Sequence, residues 1–148
     1  MFVILFNVLL GASVLYAFVR GGAPERVVAV AFIAAATASF MARPLAHVRY
    51  QDTEVGLLLI DAALLVVLVA VALWANRFWP IWIAAFQLFA LLVHIAKLYQ
   101  QDVLPIVYFV VISRIAYPML VMLLVGTTFH FQRLQRHGAD PDWIRHNI

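Results

Sequence analysis

The chain has 148 residues, 66% of them hydrophobic and only 11% charged, and its mean hydropathy is +1.00. A soluble domain is about half apolar and about a quarter charged, so too few polar side chains are present to cover a globule in water. The net charge of +3 resides in basic residues that stand singly between apolar stretches, as topology determinants do, which excludes nucleic acid as a partner.

A bilayer core needs about 20 apolar residues of helix. Five stretches qualify: Phe2–Val19, Glu25–Ala42, Val55–Ala75, Trp79–Leu98 and Leu104–Phe129. They predict an all-α, polytopic integral membrane protein, a bundle of five transmembrane helices over residues 1–131, followed by a polar juxtamembrane tail over residues 132–148.

In the first stretch, MFVILFNVLLGASVLYAFVR, the single charge follows the apolar run. A signal peptide has the reverse order, so the stretch is expected to remain as a span. Gly21–Gly22 is expected to close it as a C-cap. Pro24 then opens the second helix in its first turn, where a missing N–H costs nothing, and Pro80 and Pro105 do the same for the fourth and fifth. The second helix repeats small residues at four-residue spacing, Ala31, Ala35, Ser39 and Ala34, Ala38, Ala42, a pattern that lets helix backbones approach closely in lipid. It is also the least hydrophobic, so a four-span arrangement stands as the alternative.

The third stretch carries Asp61 about two turns from its start. Trp74, Phe78, Trp79 and Trp82 surround the next connector, with Tyr50 and Tyr99 marking the opposite side, a pattern of two interfacial aromatic belts. The fourth carries Gln87 and His94, seven residues apart on one helix face. The fifth contains VISRIAYPML, in which Arg114 interrupts the apolar run, Tyr117 lies one turn further on nearly the same face, and Pro118 cannot donate to the Arg114 carbonyl. A helix kink at Pro118 is expected. In the tail, Arg133 and Arg136 are expected to meet anionic headgroups and Trp143 to rest at the interface. His130 and His137 share a face but sit two turns apart, too far for joint ligation, and the tail reads as an amphipathic juxtamembrane stub.

With five alternating spans, Arg20, Arg26, Arg77, Arg133, Arg136 and Arg145 fall on one side and Arg43, Arg49 and Lys97 on the other. Six against three places the N-terminus outside and the C-terminus in the cytoplasm. Nine of the ten cationic residues are arginine, beside abundant Ala, Val and Leu, a composition pointing to a bacterial gene and hence an inner membrane.

Asp61, Arg114, Gln87 and His94 all fall in the same half of the bilayer. Charges at that depth cost roughly 2.5–3.5 kcal/mol each, and helical side chains lean toward the N-terminus, so an Asp61–Arg114 pair is the expected arrangement. The leading functional expectation is an accessory or structural membrane subunit. The alternative is a small-molecule or proton-coupled carrier or sensor using Asp61, Arg114, Gln87, His94 and Tyr117. A membrane enzyme or haem protein ranks third. The sequence holds no phosphate-binding Gly-rich loop, H-E-x-x-H or G-x-S-x-G motif, so no catalytic residue is assigned. Absence of cysteine removes disulfides and thiolate metal centres. Haem b would require His94 with His47, a pair without a supporting motif, and neither cofactor nor metal is predicted. The expected partners are the lipid bilayer and a second copy or another membrane protein.

Overall fold

The computed structural model describes the backbone of residues 2–42, 50–99 and 105–144, and the side chains of residues 4–42, 55–97 and 114–144. Five helices occupy these residues: α1 (Phe2–Arg20), α2 (Ala23–Ala42), α3 (Tyr50–Trp74), α4 (Trp79–Tyr99) and α5 (Pro105–His137). Four of them, α2 to α5, are long and apolar enough to cross a membrane, and α1 holds a shorter apolar helix over Ile4–Arg20. His47, a candidate haem ligand, lies outside the described residues, as do Arg43, Arg49, Arg145 and the side chains of Tyr50 and Tyr99.

The helices form a closed ring in chain order. Each packs against its sequence neighbours, α5 returns to pack against α1, and α2 touches α5 across the middle. Because successive helices reverse direction, this closing α5–α1 pair runs parallel. The turns α1–α2 and α3–α4 and the end of α5 therefore gather at one end of the bundle, called here the turn end.

Local chemistry sets the boundaries. Pro24, Pro80 and Pro105 lie within the first two residues of α2, α4 and α5. At the start of α2, the Gly22 N–H donates to Glu25 Oε2 (3.1 Å), and the Arg26 N–H donates to the Gly22 carbonyl (3.2 Å). A glutamate at the third helical position reaching back to the cap is half of a capping box. Gly21 and Gly22 do end α1, but not through the left-handed conformation expected of a C-cap; the described glycine with positive φ is Gly138. Their requirement is space. A Cβ on Gly21 would collide with the Ala17 carbonyl, and one on Gly22 with the Asp142 carboxylate.

The largest departure from the sequence reading is at the C-terminus. Helix α5 runs through Pro118 and continues beyond Phe129 to His137, into residues expected to form the polar tail. Gly138, at φ 71°, then donates its N–H to the Leu134 carbonyl (2.9 Å), the left-handed cap that glycine adopts without a Cβ penalty. The chain reverses there. The tail folds back on the turn end. Asn76 N–H donates to Asp142 O (3.2 Å) and Ile144 N–H to Trp74 O (2.9 Å), giving a short bridge between Ala75 and Trp143.

Inside the ring, Leu68, Trp79, Ile83, Leu123 and Val28 are fully buried. Trp79 lies against Gly126, where an added Cβ would stand 2.6 Å from the indole. The outer faces are as apolar as the core, with Val8, Leu15, Val66, Leu73 and Phe89 all exposed. A surface of this kind is solvated by hydrocarbon, and the helices satisfy their backbone hydrogen bonds internally, as a spanning structure must.

Candidate functional site

Two polar clusters lie among the described residues of the bundle. The first is at the turn end and is centred on Arg77, in the α3–α4 turn. Its side chain is 1% exposed and that of Glu25 is 0% exposed. The fold brings Glu25 and three groups of the tail to it. Arg77 Nε donates to Glu25 Oε1 (3.4 Å) and Nη2 to Asp142 Oδ1 (3.2 Å). Nη1 donates to the Pro141 carbonyl (2.8 Å) and to Asp140 Oδ1 (3.2 Å), while Nη2 reaches Asp140 Oδ2 (2.9 Å). The guanidinium thus forks onto the Asp140 carboxylate, the geometry for which arginine is shaped.

Asp140 is held from α5 as well. His130 Nδ1 lies 2.7 Å from Oδ2, and Arg133 Nε donates to both oxygens (3.1 and 3.2 Å). His130 Nδ1 is also 2.9 Å from Arg77 Nη2. One nitrogen cannot donate to the carboxylate and accept from the guanidinium together. A proton on Nδ1 satisfies the group: His130 and Arg77 both donate to Asp140, and the Arg77–His130 approach is a contact between donors. Burial alone would raise the Asp140 carboxyl. The His130 hydrogen bond, the Arg77 charge, and the hydrogen bond and charge of Arg133 outweigh it and hold the carboxyl below its ordinary value of 3.8.

Glu25, His130 and Asp142 offer ligand atoms within 4.8 Å of one another, a spacing open to a metal ion. The Arg77 guanidinium touches all three groups, at 3.4, 2.9 and 3.2 Å. A fixed side-chain cation already stands among these groups and bonds to each, so the arrangement is an ion-pair clasp that joins α2, the α3–α4 turn, α5 and the tail.

The second cluster lies between α3 and α4. Gln87 Nε2 donates to Asp61 Oδ1 (3.0 Å) and to the Asp61 carbonyl (3.2 Å). His94 Nε2 sits 3.0 Å from Asp61 Oδ2. Gln87 and His94 are buried, whereas the Asp61 side chain is 25% exposed. Asp61, Gln87 and His94 are therefore brought together from the sequence-derived set. The Asp61–Arg114 pair is not among the ion pairs of the described residues, and α3 and α5 do not pack directly on one another there. Arg114 is exposed on α5. Tyr117, a turn below, meets the Phe6 ring of α1 edge-on at 6.2 Å and 84°.

Sequence reasoning missed the turn-end cluster. Arg77, Arg133 and Arg20 fit the positive-inside pattern and were counted as charges at the membrane edge. The available signal was opposite in sign: Glu25, Asp140 and Asp142 are three of the seven acidic residues, and all belong to the end that carries Arg77. No family model matches the chain, and comparison with curated proteins and with solved structures finds no match.

Proposed function

We propose that the protein is a small accessory or structural subunit of a bacterial inner membrane, with its turn end in the cytoplasm. The observation that carries this reading is the Arg77 clasp. The most heavily bonded ionic groups in the described bundle face one another and tie helices together, as in a rigid structural element, instead of lining an open path through the membrane. Arg20, Arg26 and Arg136, exposed at this end, support a cytoplasmic side. The test is the native size of the tagged chain in a mild detergent extract of its own membrane. A stoichiometric assembly well above 16.6 kDa is expected, and it should dissociate or lose this chain when Arg77→Gln loosens the turn end.

A second reading is favoured by the Asp61–His94 pair with Gln87, a carboxylate and imidazole held 3.0 Å apart and partly open at Asp61. Ionisable residues at membrane depth mark proton relays and substrate paths. A proton-coupled carrier or sensor would use this cluster, with Arg114 and Tyr117 of α5 contributing from the same half. Proteoliposomes loaded with a pH-sensitive dye separate the two readings. A chain that runs alone and carries protons, losing that flux with Asp61→Asn, is a carrier; an impermeable chain recovered in an assembly is a subunit.

A further inference from the structure

A cleft of about 700 Å³ opens beside the Arg77 clasp, between the α1–α2 turn and the last turns of α5. Arg20 and Arg26 line it from either side of that turn, and Val19, Val27 and Leu134 supply apolar walls. The Arg20 guanidinium carbon stands 4.3 Å from the centroid of the Phe131 ring, a cation–π contact that orients the charge. Asp142 is the carboxylate of the lining, and it is already paired with Arg77 at 3.2 Å. Two guanidinium groups thus face one carboxylate across the cleft, which keeps a net positive charge.

We propose that this cleft binds the phosphate of an anionic phospholipid headgroup, with Arg20 and Arg26 donating to its oxygens. Guanidinium groups match phosphate in charge and fork geometry. The apolar walls identify the source as a lipid. Val19, Val27 and Leu134 are exposed and belong to helix faces that continue into the lipid-facing surface, so a phosphate in the cleft can extend its acyl chains along α1, α2 and α5. A soluble phosphate or an acidic peptide has no use for those walls. The proposal holds whether the protein is a subunit or a carrier, since the two phosphate-binding arginines, Arg20 and Arg26, belong to neither the clasp nor the Asp61 cluster.

Native mass spectrometry of the delipidated full chain in neutral detergent tests it, with phosphatidylglycerol and phosphatidylcholine titrated separately. Two cations at the headgroup level predict a preference for phosphatidylglycerol of about thirtyfold. Arg20→Gln with Arg26→Gln should abolish that preference, whereas Arg136→Gln, an exposed arginine outside the cleft, should keep it. Val27→Trp, which fills the cleft and retains both arginines, should also weaken phosphatidylglycerol binding, and it carries the test if the double variant does not fold. Millimolar inorganic phosphate should leave the bound lipid in place. Displacement by phosphate alone would overturn the lipid assignment. Equal preference in the double and parent chains, equal loss with Arg136→Gln, or full binding by Val27→Trp would overturn the site itself.

Discussion

Arg77 and Asp140 meet as a two-pronged fork, Nη1 to Oδ1 at 3.2 Å and Nη2 to Oδ2 at 2.9 Å, although 63 residues separate them. The pair is buried, and its members are bonded further to Glu25, His130 and Arg133. Asp140 would keep Arg133 if Arg77 were removed, but the fully buried Glu25 would lose its cation, and an uncompensated buried charge costs about 3–5 kcal/mol. Arg77→Gln should lower stability by that order, read as a fall in the thermal midpoint of the detergent-solubilised chain. Arg77→Lys should recover part of the loss, because an ammonium keeps the charge but cannot fork onto the carboxylate while also holding Glu25. Equal losses for the two substitutions would show that only charge matters.

The Asp140 carboxyl, held below 3.8 by His130, Arg77 and Arg133 against the effect of burial, makes tail docking acid-sensitive. The folded pKa is the lower one, so the group's contribution is fully present above the ordinary carboxylate value. It is lost as pH falls below about 4 and through the folded value. With no native cysteine, a nitroxide on Ile144→Cys reports the tail alone. Its spectrum should be unchanged from neutral pH down to about 5 and should sharpen as the tail releases at lower pH. Asp140→Asn should release the tail at neutral pH and flatten that transition.

What could be read in the sequence follows from how local each signal is. The five helices come from long, predominantly apolar runs, and the prolines of α2, α4 and α5 mark their starts from within one turn. Gln87 and His94 meet on one acceptor because helical periodicity alone puts them on one face. Their acceptor is Asp61, and the partner expected for it, Arg114, lies on a helix that does not pack on α3. Charge sign and depth pointed to Arg114, and it is the ring order of the helices that sets Gln87 and His94 of α4 beside Asp61. Arg77 was least legible. A single arginine in a three-residue connector has the same appearance whether it faces headgroups or is buried. The difference lies in Gly138, whose left-handed backbone turns Asp140 and Asp142 back toward it.

Two glycines should respond in opposite ways to the same substitution. At Gly126 an added methyl meets the fully buried Trp79 indole at 2.6 Å, so the ring or the helix must shift. Overpacking of this kind costs about 1–3 kcal/mol, so Gly126→Ala should destabilise. At Gly11, inside α1, nothing lies within 4 Å of the added atom. There the gain in helix propensity, about 0.5–1 kcal/mol, acts alone, and Gly11→Ala should be neutral to stabilising. Thermal unfolding of the two variants in one detergent checks both, and a stabilising Gly126→Ala would mean that α4 and α5 pack less tightly at that level.

Asp61 offers a way to tell a structural hydrogen-bond acceptor from an ionisable site. An asparagine can still accept from Gln87 through its carbonyl oxygen, and interhelical hydrogen bonds in membranes average about 0.6 kcal/mol. Asp61→Asn should therefore unfold within about 1 kcal/mol of the parent chain. Asp61→Leu removes the carboxylate that accepts from Gln87 and lies against His94, and leaves Gln87 the backbone carbonyl of residue 61, a loss of about 1–3 kcal/mol. Stability alone thus ranks Leu below Asn whichever reading of the cluster holds. The ionisable reading adds a separate requirement: Asp61→Asn, nearly as stable as the parent, must lose any proton-dependent response entirely. If that response survives in the asparagine variant, the Asp61–His94 pair only joins α3 to α4.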